Sequence, residues 1–266
     1  MNKIQSNVLE IIENKKQLQL KSKDDGIDLI SLMLKQTSTN SSSVPTQELV
    51  DNVLTFLFAG HETTSTSLSW ALYLLSLNLD VQKRLQKEVD NALNSKKHNK
   101  DDGEDDVEIT NEMLEKDFPL INACINEAIR MYPPVTIATR KCVEDDVVDG
   151  YKIPAGTSIT IPIIAMHRNP DMWSDPDKFN IDRWIEPITD PGAKNSFVYM
   201  PFLAGPRGCI GRKFAKYEAA TALAMMIRKF DFKPVPDRKV TPKTSITLRP
   251  FPSLHLIVSL RNHEKT

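Results

Sequence analysis

The sequence predicts a mainly α-helical fold with small β-sheets placed late in the chain. Apolar residues recur at helical spacing over much of residues 1–131, which indicates amphipathic helices. A later stretch, residues 135–164, is rich in Val, Ile and Thr and is interrupted by Gly and Pro, as in short strands and hairpins. Of the 266 residues, 40% are hydrophobic and 26% are charged, which is ordinary for a folded domain and excludes a mainly disordered chain.

The first half of the sequence contains most of the predicted helices. Residues 1–36 alternate charged and apolar positions and suggest helices, whereas the polar stretch 37–43 predicts a loop. A long helix is expected at about residues 46–77, because Pro and Thr open it in the way that helices usually begin. Asn78 is expected to cap the next helix. Four apolar residues then recur at helical spacing: Val81, Leu85, Val89 and Ala92.

The remaining elements follow a charged insert. Residues 94–108 contain almost nothing that could pack and predict a surface loop. A helix is expected at 114–131, since the prolines that follow would end it. Turns in the strand-rich stretch are expected at residues 149–150 and 154–156. Three further expectations complete the chain: structured loop at 165–205, helix at 211–230 and strand at 254–260.

Charge and cysteine content exclude several classes of protein. The formal net charge is −1, so the basic excess typical of a nucleic-acid binder is absent, and no nucleic-acid partner is expected. The three cysteines, Cys124, Cys142 and Cys209, form neither a CxxC pair nor a zinc-ligand spacing, which argues against a disulfide framework or a zinc site. The N-terminus lacks a signal-peptide pattern. The longest uncharged stretch, residues 63–79, contains many Ser and Thr residues, so no transmembrane helix is expected there.

The densest chemistry lies in the loop 201–211, where Cys209 stands among glycines directly before a predicted helix. Glycine allows tight turns and a close backbone approach to a flat or bulky group. Backbone N–H groups at a helix start favour a thiolate, and Arg207 could bind an anion. A thiolate near a guanidinium suits a metal ligand beside a cofactor that carries carboxylates. The alternative is a buried cysteine in a turn, which is the commoner situation for a single cysteine.

The pattern F-x-x-G-x-R-x-C-x-G in this loop resembles the haem-binding signature of the cytochrome P450 family. The resemblance implies a haem b cofactor whose iron is bound by the Cys209 thiolate, a ligand that favours O–O bond cleavage. It also implies that Phe202 packs near the sulfur and that Arg207 pairs with a haem propionate. Gly205 and Gly211 are the glycines of the signature and would lie against the cofactor.

Residues 59–64, A-G-H-E-T-T, match a second element of the family, A-G-x-[DE]-T-[ST], which binds O2 and delivers protons. A glycine within a helix costs about 1 kcal/mol against Ala, but Gly60 leaves room on one helix face for a ligand. Thr63 can turn its hydroxyl to a main-chain carbonyl, and Glu62 can relay protons. The resemblance therefore implies catalytic roles for Glu62 and Thr63. The alternative is a tolerated glycine followed by a threonine bonded to its own backbone.

A third element, E-x-x-R, is formed by Glu127 and Arg130, whose spacing places both charges on one helix face. A surface ion pair is the alternative, but two prolines follow the pattern, as in the K helix of the family. The family adds an arginine from a loop rich in Pro and Phe, and F-N-I-D-R-W at 179–184 resembles that loop. Arg183 would then complete a structural triad that supports folding and the haem loop.

This third element departs from the family at two positions. Ile181 stands where the family usually has Pro, and Asp182 stands where it usually has Glu. Both changes weaken the local match and leave the arginine of the triad in place. Separately, the resemblance implies that Arg140 binds a second propionate, with an ordinary surface arginine as the alternative.

The resemblance also implies partners. A haem-thiolate monooxygenase inserts one oxygen atom of O2 into a small apolar substrate, and residues 135–139 and 245–247 would line the substrate pocket. An electron-donor reductase would dock on the basic face after Cys209 by electrostatic steering. That face consists of Arg212, Lys213 and Lys216. The alternative is a solvated helix face.

Length sets the remaining expectations. Members of the family are about twice this long, so residues 1–266 are expected to form a single partial domain, an incomplete C-terminal portion of the cytochrome P450 fold. Two alternatives to the monooxygenase follow: a truncated, non-catalytic gene product or gene-model fragment, and a haem-binding module without oxygenase activity. An intracellular location is expected. Full-length relatives usually lie on the endoplasmic reticulum membrane, and membrane association would require an N-terminal anchor that this chain lacks.

Overall fold

A computed structural model describes residues 3–20, 28–39, 46–97 and 108–261. These residues form helices and four small antiparallel sheets, which confirms the predicted mainly helical class. Contacts divide the chain into two compact units, Met1–Glu62 and Thr63–Thr266. The boundary falls within one uninterrupted helix. No helix in the described ranges is long and apolar enough to span a membrane.

The first unit contains α1 (Lys3–Leu20), α2 (Leu29–Thr39) and the first half of α3 (Thr46–Leu77). Asp28 begins α2 by accepting the Ser31 N–H at 2.9 Å, and it pairs with Lys15 at 2.6 Å. These contacts lower the pKa of Asp28 to about 2, the Lys15 hydrogen bond having the largest effect. The core of this unit comes from all three helices: Val8, Ile12, Leu34, Leu49, Val50 and Val53.

Two predictions for this region need correction or fall outside the described residues. The loop expected at 37–43 begins too early, because α2 continues through Thr39. Residues 40–45 lie outside the described ranges. Asn78 precedes the next helix as predicted, but its side chain donates to the Leu74 carbonyl at 2.7 Å and thus serves the end of α3. The amide is a donor as well as an acceptor, and the sequence does not reveal which helix end it will bind.

The second unit is built around α4 (Leu79–Lys97), α5 (Asn111–Lys116), α6 (Pro119–Met131) and α9 (Arg212–Lys229). Their apolar faces share one core with the strand β5 (Phe230–Pro234). Cys124 belongs to this core, where burial raises the pKa of its thiol. The largest fully buried side chains of this core include Leu85, Leu93, Met113, Phe118 and Ile121.

The single helix predicted at 114–131 is two helices. Proline disfavours helix at the residue before it, so the chain breaks at Phe118 and restarts at Pro119. Glu88 of α4 accepts the N–H groups of Leu120 at 2.7 Å and Ile121 at 3.0 Å, which satisfies the new helix start. The charged insert also begins later than predicted, since residues 94–97 belong to α4, and residues 98–107 lie outside the described ranges.

The strands pair in four two-stranded sheets. The pairs are β1 (Ala138–Lys141) with β4 (Ser158–Ile161), β2 (Asp146–Val148) with β3 (Tyr151–Ile153), β5 (Phe230–Pro234) with β8 (Leu256–Leu260), and β6 (Thr241–Thr244) with β7 (Leu248–Phe251). Asp149 and Gly150 both have positive φ, at 50° and 82°, as a two-residue hairpin turn requires. At the second predicted turn, Gly156 has a φ of 87° and the Thr157 N–H donates to the Pro154 carbonyl at 3.1 Å, so both predicted turns are confirmed.

The stretch between β4 and α9 is mostly loop with short helical turns. These are α7 (Ile163–Met166), a 3₁₀ helix (Ile181–Trp184), α8 (Pro191–Lys194) and a second 3₁₀ helix (Gly205–Arg207). Gly192 of α8 packs closely on Trp173: a Cβ at this position would lie 2.5 Å from Cδ2 of the indole. This stretch packs on α6 through its first 3₁₀ helix and leads the chain from β4 to the cysteine that precedes α9.

Candidate functional site

The cysteine loop is closed by backbone hydrogen bonds. Cys209 N–H donates to the Phe202 carbonyl at 2.8 Å, and Gly208 N–H donates to the Gly205 carbonyl at 2.9 Å. Gly205 has a φ of 74°, where a side chain would be strained. Gly211 then starts α9, with its carbonyl accepting the Ala215 N–H at 2.8 Å. The loop thus holds the cysteine in a defined place just before a helix.

The three cysteines differ in accessibility. Cys124 is buried in the core and Cys142 is half-buried, with its Sγ 3.0 Å from the Glu144 carbonyl, whereas Cys209 is exposed. A Cβ on Gly211 would lie 3.9 Å from the Cys209 sulfur, and a Cβ on Gly205 would meet nothing within 4 Å. An accessible sulfur beside open space on a glycine-containing loop can accept a large flat ligand. Among the described residues, Cys209 is therefore not buried, as the alternative of a buried turn cysteine would require.

The arginines predicted to meet a cofactor's carboxylates lie in different settings. Arg207 is exposed on the second 3₁₀ helix. Arg140 is half-buried on β1, and its Nη1 donates to the Thr139 carbonyl at 3.0 Å. Phe202 is partly buried against the main core, so its backbone holds the Cys209 N–H while its ring anchors the loop.

A buried charge network surrounds Glu127. Its carboxylate accepts hydrogen bonds from Arg130, by Nε at 2.8 Å and Nη2 at 2.9 Å, and from Arg183 Nε at 3.0 Å. The Glu127 and Arg130 side chains are 0% exposed and that of Arg183 is 3% exposed. An unpaired charge at this depth costs several kcal/mol, so the three side chains depend on one another. The structure therefore brings together the predicted triad, and the pair is not a surface ion pair.

The network has a fourth charge, Asp190, which the sequence analysis missed. Arg183 Nη1 donates to its carboxylate, and Asp190 also accepts the N–H groups of Ser174 at 3.2 Å and Gly192 at 3.2 Å. Two arginines and two carboxylates thus balance within the buried interior. Asp190 stands in D-P-G, the pattern of a helix cap, which was the available signal.

The two departures from the family pattern lie outside this charge network. Asp182 is on the surface, where its carboxylate binds Arg84, with Nη1 at 3.2 Å. Ile181 is buried in the main hydrophobic core. The side-chain hydrogen bonds of Arg183 go to Glu127, to Asp190 and to nearby backbone carbonyls, and neither Ile181 nor Asp182 is among these partners.

Further contacts join the network to the cysteine loop. Trp184 Nε1 donates to Glu127 at 2.9 Å, and the Trp184 ring packs on Tyr199 with centroids 4.5 Å apart. Tyr199 donates its hydroxyl to the Asn126 carbonyl of α6 at 3.1 Å. His167 Nε2 accepts the Met200 N–H at 3.2 Å. Tyr199 and Met200 directly precede the cysteine loop, so the loop is tied to α6 at its start.

The second predicted element lies on α3. The helix continues through residues 59–64 without interruption, and Gly60 is exposed, with open space where a Cβ would stand. Glu62 and Thr63 are partly exposed, and the Thr63 carbonyl accepts the Ser67 hydroxyl at 2.9 Å. Among the residues that the structure describes, buried Thr64 has a hydroxyl without a hydrogen-bond partner.

The basic face after Cys209 is less uniform than the sequence suggests. Lys213 pairs with Glu115 at 3.2 Å and lies over the Tyr217 ring, 5.1 Å from its centroid. Lys216 is half-buried, and this burial, together with the charge of Arg212, lowers its pKa. Arg212 is exposed. The three cations therefore do not form one equally accessible patch.

The fold is mainly helical, and an exposed cysteine stands just before a helix, tied to a buried Glu–Arg network. This arrangement is the one expected of the haem-thiolate proteins that the sequence resembles. The comparison with family models identifies the family: the model of Cytochrome P450 matches residues 1–257. This chain belongs to the cytochrome P450 family.

Individual relatives extend the comparison. The chain is 34% identical over 254 residues to "Cytokinin hydroxylase" of Arabidopsis thaliana, which covers 94% of the chain and 47% of that protein. It is 35% identical over 230 residues to "Putative cytochrome P450 132" of Mycobacterium tuberculosis, covering 86% and 46%. Against "Cytochrome P450 3A13" of Mus musculus it is 33% identical over 239 residues, covering 88% and 45%. The chain spans about half the length of the curated relatives it matches.

Proposed function

We propose that this chain provides the haem-binding part of a haem-thiolate monooxygenase, which inserts one oxygen atom of O2 into an apolar organic substrate. The exposed sulfur of Cys209, held on a closed loop before α9, is the observation that carries the proposal. Family membership supports it, as does the word hydroxylase in the name of the plant relative.

The residues of the cysteine loop fit a haem b cofactor. Cys209 would bind the iron, the open sides of Gly205 and Gly211 would allow the ring to approach, and Arg207 and Arg140 would pair with its propionates. Phe202 would hold the loop in place through its carbonyl bond to the Cys209 N–H, close to the sulfur. When bound, a thiolate-ligated haem supplies the activation of O2 by favouring O–O cleavage.

The proton chemistry of the proposal rests on α3. Glu62 would take up a proton from solvent on its carboxylate, because its side chain is only partly buried. Thr63 would pass protons through Oγ1, a hydroxyl that can both donate and accept. The open face at Gly60 would leave room for a ligand beside them.

The proposal includes partners. A small apolar substrate would contact apolar side chains that the described unit leaves exposed, among them Val135, Ile137 and Ile246. A reductase would supply electrons and would meet Arg212 and Lys213, the two exposed members of the three predicted docking cations. The proposal also includes a location on the endoplasmic reticulum membrane, as the family resemblance implies.

The experiment that tests this function is a carbon monoxide spectrum. The chain is loaded with haem, reduced and exposed to carbon monoxide, and a red-shifted Soret band is expected because the Cys209 thiolate would donate electron density to the iron. The band would support thiolate ligation. Its absence in a folded, haem-supplied sample would remove the proposed function from this chain.

The role of Thr63 has a separate test. In reconstituted turnover, we expect Thr63→Ala to lower the product formed per O2 consumed severalfold, while the carbon monoxide band is retained. Thr55→Ala is the matched control, since Thr55 lies on the same helix and bonds its hydroxyl to the Asp51 carbonyl at 2.7 Å. Unchanged coupling in Thr63→Ala would contradict the proton-transfer role.

A further inference from the structure

His167 is a buried residue that the proposed chemistry does not use. It follows α7 directly and is 0% exposed. Its carbonyl accepts Arg130 Nη1 of the charge network at 2.9 Å, and its Nε2 accepts the Met200 N–H at 3.2 Å. One residue thus touches both the charge network and the segment that leads into the cysteine loop.

The bond to Met200 lies close to the hydrogen bonds that shape the loop. The Met200 carbonyl accepts the Leu203 N–H at 3.0 Å. Between these two residues, the Phe202 carbonyl accepts the Cys209 N–H at 2.8 Å. Leu203 itself has a positive φ of 59°, which is unfavourable for a side-chain-bearing residue and must be held by its surroundings. A fixed position for the Met200 N–H therefore limits how the Cys209 end of the loop can move.

The ring of His167 suits the role of acceptor. A neutral imidazole that accepts through Nε2 carries its proton on Nδ1. Burial and, secondarily, the charge of Arg130 lower the pKa of His167 to about 4, while the carbonyls of Arg130 and Ile129 act in the opposite direction. At neutral pH, Nε2 therefore keeps its lone pair for Met200.

We propose that His167 is a positioning residue for the cysteine ligand: its Nε2 fixes Met200 and so transmits the rigidity of the Glu127–Arg130–Arg183 network to the loop that presents Cys209. This inference rests on the proposed function in so far as Cys209 is a haem ligand. The hydrogen bond itself can be tested without the cofactor. The Tyr199 ring packs against the His167 ring in a tilted arrangement, with centroids 5.1 Å apart, and limits the movement of the imidazole.

Two variants separate the acceptor from the packing. His167→Gln keeps an acceptor oxygen at about the reach of Nε2, whereas His167→Leu fills similar volume with none. His255→Gln and His255→Leu are the matched controls, because His255 is exposed. Amide hydrogen exchange of the haem-free chain reports the bond directly, since exchange follows local opening.

The expected result is faster exchange at Met200 and Leu203 in His167→Leu, by about tenfold, which is the usual effect of one lost hydrogen bond. His167→Gln should stay within about threefold of the wild type, and amides of α4 should not change. Wild-type exchange in a folded His167→Leu, or equally fast exchange in His167→Gln, would overturn the proposal. If His167→Leu does not fold, His167→Gln decides: protection at Met200 supports the role, and its loss refutes it.

The haem-loaded chain gives the second readout. His167→Leu should convert part of the red-shifted carbon monoxide band to the unshifted form that marks loss of the thiolate, and His167→Gln should retain the wild-type spectrum. A wild-type spectrum in His167→Leu would show that loop position does not depend on this residue. If the wild-type chain gives no red-shifted band, the proposed function fails, and the exchange experiment still decides the role of His167.

Discussion

The charge network around Glu127 and the loop around Cys209 lie in the same unit of the molecule but use their side chains in opposite ways. In the network, the ionised side chains of Glu127, Arg130 and Arg183 turn inward and satisfy one another. In the loop, backbone groups make the holding contacts and the Cys209 side chain is left accessible. In this protein, the charged side chains with a structural role are buried and paired with one another. The candidate ligand side chain is instead exposed.

This difference predicts where mutations will be felt. A change in the network should appear as lost stability, because it leaves a buried charge without a partner. A change at Cys209 should appear as lost ligand binding with little effect on folding, because an exposed side chain contributes little to the core.

Replacement of the sulfur should have an all-or-none effect. We expect Cys209→Ser to abolish the red-shifted carbon monoxide band, since a serine hydroxyl does not replace the thiolate. Its urea midpoint should stay close to that of the wild type. Cys142→Ser is the control, because Cys142 lies directly after β1, outside the cysteine loop, and its thiol is half-buried. A red-shifted band in Cys209→Ser would show that another group binds the iron.

Neutralising the centre of the network should cost the most stability. Glu127→Gln leaves Arg130 and Arg183 with one fewer buried negative charge, and we expect a loss of about 3–5 kcal/mol in the free energy of unfolding, measured with urea. Asp182→Asn removes an acidic residue next to Arg183 in sequence, but its partner Arg84 is 41% exposed, so a loss of at most about 1 kcal/mol is expected. Equal losses in the two variants would contradict the contrast.

Acid should weaken the hydrogen bond between His167 and Met200, which joins the charge network to the cysteine loop. The pKa of His167 is lowered to about 4 from its ordinary value of 6.5, so between these values the unfolded chain binds the proton more readily. The contribution of neutral His167 to the free energy of unfolding is complete above about pH 6.5. It is lost as the pH falls to about 4, by roughly 3 kcal/mol in total. The measurement is the difference in urea stability between the wild type and His167→Gln across this range. A pH-independent difference would contradict the assignment.

Packing around the network should tolerate little added volume. Gly192→Ala would place a Cβ 2.5 Å from the Trp173 ring and 2.8 Å from the Met172 carbonyl, and we expect a loss of about 1–3 kcal/mol. Gly60→Ala is the contrasting variant, because its Cβ would meet nothing within 4 Å. In that helix interior we expect a gain of up to about 1 kcal/mol. A destabilised Gly60→Ala together with a neutral Gly192→Ala would reverse the expected order.

Local sequence patterns were sufficient where the interaction is local. The spacing of Glu127 and Arg130 places them together on α6, and Asp149-Gly150 specifies the tight turn between β2 and β3. The boundary at Phe118 was missed although the proline signal was present, because the apolar pattern on both sides continues in helical register. The side-chain direction of Asn78 was not available from sequence, since either helix end could bind it.

Local sequence patterns were enough to predict the mainly helical class, the cysteine loop before a helix and the resemblance to the cytochrome P450 family. Long-range packing was needed to establish that Glu127 and Arg130 are buried, that Asp190 is the fourth charge, and that His167 binds Met200. It also decided which cysteine is accessible. The physical reason is range: dihedral preferences and helical periodicity act over a few residues, whereas burial and the pairing of Glu127 with Arg183, 56 residues away, depend on how distant segments pack.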